Sequence, residues 1–290
     1  MFAPPPVTEA RVFARIPDAR LLEGPSFDRA GNLYVTDIPN GRVFRVDPGG
    51  RIEKVAEYDG EPNGLKIHRD GRIFVADHKQ GLLQLDPATG RVAVIVDRPY
   101  HERFKGLNDL IFARNGDLYL TDQGEADLRD PTGRLFCLRE NGRLDCLLDC
   151  VPSPNGLVLT PDEGILYLAV TRANAVWRVP LAPLGGTGVG RLGLGRVGVW
   201  LQLSGGVGPD GMAMDEEGEI AVCHVGLGSV WLFARTGEPV RRVRCAEGTR
   251  CTNVAYGGPG RRRLYITEAE TGTVQVAEVD VPGLPLYSHA

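Results

Sequence analysis

Several features are missing from this 290-residue chain, and each absence removes a class of protein. No apolar run approaches the roughly twenty residues that a membrane-spanning helix needs. The opening stretch MFAPPPVTEARVFARIP has neither a basic segment followed by an apolar one nor a small-residue cleavage site. The expectation is therefore a soluble, cytoplasmic protein with no membrane partner. Positive charge is not in excess either: 33 Lys and Arg stand against 37 Asp and Glu, a formal net charge of -4. No global field invites nucleic acid. The six cysteines, Cys137, Cys146, Cys150, Cys223, Cys245 and Cys251, contain no C-x-x-C pair, which argues against structural zinc. A chain of this length needs no covalent staples, so the cysteines are read as reduced. Helical periodicity is absent from every long segment.

What is present is repetition. Six units each run apolar strand, turn, strand ending in a polar residue, turn, strand. Aligned on the polar residue near the head of the first strand, they fall at Glu23, Asn63, Asn108, Asn155, Asp210 and Asn253, with intervals of 40, 45, 47, 55 and 43. Period-2 alternation is plain in NLYVTD, RIFVAD and DLYLTD, and the turns RAGN, RDGR, RNGD and EEGE recur at one place in their repeats. Units of this size with four strands each predict a six-bladed β-propeller, all-β, with four-stranded antiparallel blades around a central channel and residues 1–290 as one domain. Residues 10–16, ARVFARI precisely where no unit claims them, are expected to complete the last blade, which is one strand short. The Gly-rich run at 184–198 lacks the strand-before, helix-after setting of a phosphate-binding loop and is read as a long hairpin loop in blade four. The basic stretches at 241–244 and 261–263 are read as solvated faces.

In a propeller the innermost strands line the channel, so the six aligned residues are expected to form a ring at one mouth. The residues ending each second strand, Asp37, Asp77 with His78, Asp122, Thr171, His224 and Glu268, are expected to flank it. Oxygen donors without Cys, and without a His pair at ligand spacing, suit a hard divalent cation: Ca²⁺ first, with Mg²⁺ or Mn²⁺ close behind. The bland alternative is that PNG and PDG are turn tripeptides whose side chains bond their own backbone. Turn chemistry does not account for Glu23 in a slot otherwise filled by Asn or Asp.

At LLEGPSFD, LNDLIFARNGDLYLTD, PNGLVLTPDEGILYLAV and GPDGMAMDEEGEIAV, in that order and spacing, the sequence resembles the senescence marker protein (regucalcin) and gluconolactonase family of six-bladed propellers. The resemblance implies one divalent metal, Ca²⁺ foremost and Zn²⁺, Mn²⁺, Mg²⁺ or Fe²⁺ as other members of the same class, bound by Glu23, Asn155 and Asp210. It implies that Asn108 is a fourth ligand or a substrate contact, and that Asp210 doubles as catalytic base. The implied reaction is hydrolysis of a small-molecule lactone. Three positions depart from the pattern: Phe27 replaces a frequent Trp, Gln123 replaces a frequent Pro, and Gly106 stands where some members carry a substrate-contacting Arg. Arg103 or Lys105 is the candidate replacement, and His224 is a further candidate for orienting substrate. Rival readings are a phosphotriester hydrolase and a non-catalytic propeller that binds a protein or peptide.

Overall fold

The computed structural model describes residues 4–181 and 195–289. Short runs of alternating β-branched and aromatic residues form strands, and the Gly- and Asn-bearing turns between them fold each unit into an antiparallel sheet. There are six such sheets. Their inner strands are Leu22–Phe27, Pro62–Ile67, Leu107–Phe112, Pro154–Leu159, Gly208–Met214 and Cys251–Gly257. Each inner strand packs on the next, and the sixth packs on the first, so the sheets form a closed ring of six blades.

Closure is achieved as expected: Arg11–Arg15 pairs antiparallel with Thr273–Glu278 and supplies the fourth strand of blade six. The structure adds a strand that the repeats do not predict. Val7–Glu9 runs parallel to Pro239–Arg244 and makes blade five five-stranded. The chain thus crosses from the rim of blade five to that of blade six through Ala10, whose N–H donates to Arg244 O at 2.9 Å. The longer strands Pro239–Arg244 and Thr273–Glu278 are thereby paired, and only the short Val7–Glu9 and Arg11–Arg15 are left at these two rims.

The core lies between blades. Leu65, Val75 and Leu83 of blade two, for example, pack on Tyr34 and Val43 of blade one, and all five are buried. Burying each such aliphatic side chain contributes about 1.5–3 kcal/mol. Four of the six free cysteines, Cys137, Cys223, Cys245 and Cys251, are buried. The basic stretches behave as solvated faces: Arg241 pairs with Asp280, Arg244 with Glu9, Arg261 with Glu216 and Arg263 with Glu278. In blade four, Ala175–Pro180 and Gly198–Gln202 pair antiparallel. Most of the expected hairpin loop at 184–198 lies outside the described residues. No described helix is long and apolar enough to cross a membrane.

The C-terminal segment spans the end of the channel opposite the ring. Leu284 N–H donates to Met214 O at 3.0 Å, Tyr287 stacks on Phe112 at 4.9 Å, and Ser288 Oγ donates to Phe27 O at 2.9 Å. Beneath it is a cavity of about 430 Å³ lined by residues of all six inner strands, among them Ser26, Lys66, Ile111, Leu157, Met212 and Val254.

Candidate functional site

A local irregularity shared by all six blades builds the ring. Every inner strand slips register against its neighbour within the same short stretch: between Glu23 and Ser26, Pro62 and Leu65, Leu107 and Leu110, Pro154 and Leu157, Pro209 and Met212, and Cys251 and Val254. A β-bulge re-aims a side chain and leaves backbone groups without ladder partners. Threonines one residue before the end of three second strands meet that need. Thr36 Oγ1 donates to Asn63 O at 2.7 Å, Thr121 Oγ1 accepts from Asp109 N at 2.9 Å, and Thr267 Oγ1 accepts from Asn253 N at 3.0 Å. The NG and DG pairs are therefore not hairpin turns but strand residues at a bulge. Their glycines permit close approach of neighbouring blades: a Cβ on Gly211 would lie 2.0 Å from Asn253 Oδ1, and one on Gly64 2.6 Å from Asp109 Oδ1.

Glu23, Asn63, Asn108, Asn155 and Asn253 are all buried, while Asp210 keeps partial access to solvent. Glu23 Oε2 accepts from Gly24 N at 2.9 Å and from Asn253 Nδ2 at 2.8 Å. The same Asn253 amide reaches Asp109 Oδ2 at 3.3 Å. Asn155 hydrogen-bonds Asp210. Asn63 Oδ1 is buried and has no hydrogen-bond partner.

Asp109 is a member of this cluster that the sequence reading missed. It fills the slot after the ring residue, where four other blades have glycine, and it is buried. The signal was available as ND in place of NG. Lys66 was missed as well: its Nζ lies 3.8 Å from Asp109 Oδ1. Three carboxylates, Glu23, Asp109 and Asp210, thus share the channel with one ammonium, leaving two negative charges uncompensated when all are ionised. Burial, followed by the charge of Asp109, pushes the Glu23 carboxyl up to about 7. Burial and then Glu23 hold the Asp210 carboxyl well above the usual carboxylate range. Both shifts express the cost of burying like charges together.

The flanking acids have a different task. Asp37 accepts from Arg20 N and is paired with Arg42 at 2.5 Å; Asp77 accepts from Glu61 N, Lys79 N, Gln80 N and Tyr58 Oη. Asp122 accepts from Gly106 N and pairs with Arg134 at 2.6 Å, and Glu268 accepts from Arg250 N and Thr271 N. Each carboxylate fastens the loop leading into the inner strand of its own blade. Saturated in this way, these acids shape the mouth.

Of the candidate substrate residues, Asn108 lies in the ring, with its Nδ2 donating to Gln123 Oε1 at 3.1 Å. Lys105 and Arg103 are exposed, and Lys105 Nζ donates to Thr132 O at 3.0 Å. The place that a side chain at Gly106 would need is taken by His78, whose ring carbon Cε1 is 2.2 Å from a Cβ built there. His224 is buried, with Nε2 3.0 Å from Gly205 O, and burial lowers its pKa. Among the described residues, no three His, Cys, Asp or Glu side chains are gathered at metal-binding spacing. The candidate donor set mixes carboxylates with amides.

Residues 21–270 match the family described as the SMP-30/Gluconolactonase/LRE-like region. The chain belongs to that family. A gluconolactonase of Zymomonas mobilis is 30% identical to it over 276 residues, covering 86% of this chain and 76% of the relative. Lactonase drp35 of Staphylococcus aureus is 26% identical over 236 residues, covering 77% of this chain and 69% of the relative. Among solved structures, a calcium-binding protein, regucalcin, from Agrobacterium tumefaciens superposes with a TM-score of 0.82 at 25% identity, covering 99% of each chain. Membership agrees with the six-bladed fold, and the bulged ring is the part of this family member where polar side chains converge.

Proposed function

We propose that this protein is a lactonase that opens a cyclic ester with the help of one divalent cation at the channel mouth. The reading rests on one observation above the rest: Glu23, Asp109 and Asp210 are gathered against a single ammonium, Lys66, in a channel also lined by amides. A deficit of two positive charges, a buried amide oxygen without a partner at Asn63, and donors that are all oxygen fit a hard divalent cation. Ca²⁺ fits best, with Mn²⁺ and Mg²⁺ next and Zn²⁺ and Fe²⁺ less suited to amide oxygens. Glu23, Asn155 and Asp210 would hold it, with Asn108 as the fourth donor. The lactonase relatives support the substrate class, and the calcium-binding relative supports the cation.

When bound, the cation supplies electrophilic polarisation of the ester carbonyl. Asp210, the ring aspartate with access to solvent, would be ionised beside the cation, whose charge offsets that of Glu23, and removes the proton from the attacking water. Oxygen from that water joins the carbonyl carbon, the ring C–O bond breaks, and the released alkoxide takes back the proton held by Asp210, giving the open hydroxy acid. Asn253 keeps the Glu23 carboxylate oriented through the 2.8 Å bond, and His78 fills the space beside Gly106. His224 is held on Gly205 O and keeps that loop in place.

The test is turnover of gluconolactone and δ-valerolactone, with paraoxon as the rival ester, by metal-stripped protein and after reconstitution with each cation. Lactone turnover restored by Ca²⁺ or Mn²⁺ is the expected result. Activity that is indifferent to chelation, or confined to paraoxon, defeats the reading.

A further inference from the structure

The amide of Asn108 is held by a relay. Its Nδ2 donates to Gln123 Oε1 at 3.1 Å, and Gln123 Nε2 donates onward to Ser153 Oγ at 2.9 Å. Gln123 is anchored in turn by its backbone, whose N–H donates to Gly106 O at 2.9 Å. Ser153 is buried, adopts a positive φ of 68°, and stands two residues before Asn155. The relay therefore ties a ring amide of blade three to the start of the strand that carries the ring amide of blade four.

A primary amide has one nitrogen end and one oxygen end. With Nδ2 spent on Gln123, the oxygen end of Asn108 is the one left, and a hard cation takes only the oxygen. The other ring amides are governed differently. Asn253 spends Nδ2 on Glu23 and Asp109 and accepts from Val254 N at 2.8 Å, while Asn155 is bonded to Asp210. For Asn108 the clamp comes from a residue outside the ring.

We propose that Gln123 is a positioning residue for the cation: it turns the Asn108 oxygen toward the channel and, through Ser153, fixes its separation from Asn155. The inference rests on the metal reading above. A donor locked in advance loses less freedom on binding, so breaking the relay weakens affinity without removing any ligand.

The experiment is calorimetric titration of Ca²⁺ into metal-stripped full-length wild type, Gln123→Leu, Gln123→Glu and Ser153→Ala, with thermal melts of each metal-free protein. Glutamate still accepts from Asn108 Nδ2, and the Ser153 hydroxyl can turn to donate to it. We expect Gln123→Leu to lose roughly tenfold or more in Ca²⁺ affinity, with Ser153→Ala losing less and Gln123→Glu binding at least as tightly as wild type. The metal-free melting temperatures of the leucine and glutamate variants should stay close to wild type, which a role confined to folding does not allow. Wild-type affinity in Gln123→Leu, or an equal loss in Gln123→Glu, overturns the assignment and leaves the metal reading intact. Failure of the wild type itself to bind Ca²⁺ overturns both.

Discussion

Asn253 Nδ2 donates to Glu23 Oε2 at 2.8 Å, so a residue of the last blade orients the first acid of the first blade. The two are 230 positions apart in the chain and meet where the ring closes. Closure of the propeller and assembly of the acidic site are thus one event.

Replacing Asn253 by Leu removes the donor that Glu23 and Asp109 share. Ca²⁺ affinity should fall roughly tenfold, the range typical for residues that orient a ligand. Glu23→Gln should lose more, because it takes a charge from the site, and Asn63→Ala should lose less than Glu23→Gln. Calorimetric titration of the three variants side by side gives the order, and equal affinities would remove Glu23 from the ligand set.

Asp210→Asn separates holding the cation from taking the proton. An amide oxygen still serves as a donor, so saturating cation should fill the site. Turnover should nevertheless stay low by about 10² to 10⁴, the usual loss of a general base. Metal content and lactone hydrolysis measured on one preparation check this; full occupancy with near wild-type turnover would leave Asp210 a ligand only.

The raised Glu23 carboxyl makes the metal-free protein sensitive to pH. Its ordinary value is 4.5 and its value in the folded protein is about 7. Between those two points the folded state holds a proton that the unfolded chain has released. Stability attached to that proton is complete below pH 4.5 and is lost as pH climbs through 7, a change on the order of a few kcal/mol. Urea melts of stripped protein should therefore show Glu23→Gln gaining stability relative to wild type as pH rises from 5 to 8. Ca²⁺ should stabilise the wild type more at pH 8 than at pH 5, and a stabilisation independent of pH would contradict the linkage.

Gly211→Ala tests the close approach between blades five and six. The added Cβ would meet Asn253 Oδ1 at 2.0 Å, so the amide that orients Glu23 has to move. A loss of about 1–3 kcal/mol in unfolding free energy, typical of overpacking, should accompany weaker Ca²⁺ binding. Ala at Gly198, which like Gly211 has no left-handed φ but has nothing within 4 Å, is the comparison for the backbone effect alone.

The architecture was legible because each repeat carries its own strand periods and turn residues, so six aligned units predict six blades and a spare strand near residues 10–16. The parallel strand Val7–Glu9 was not legible: three residues give no period, and their pairing depends on where the rim of blade five passes. The six ring residues stood out because acids and amides recurred in register, and the family resemblance singled out Glu23, Asn155 and Asp210 among them. Asp109 and Lys66 did not, because each occurs once, and only the bulge brings both toward the acidic cluster. The flanking acids looked like site residues from their positions, yet their lone pairs are spent on loop N–H groups and arginines. That distinction depends on hydrogen-bond partners distant in sequence, which residue type alone does not specify.

The C-terminal segment that reaches from Met214 across to Phe112 and Phe27 gives the molecule the topology of a cup instead of a pipe. A cup has one rim, so a neutral ring compound arriving and its anionic product departing must share a single passage.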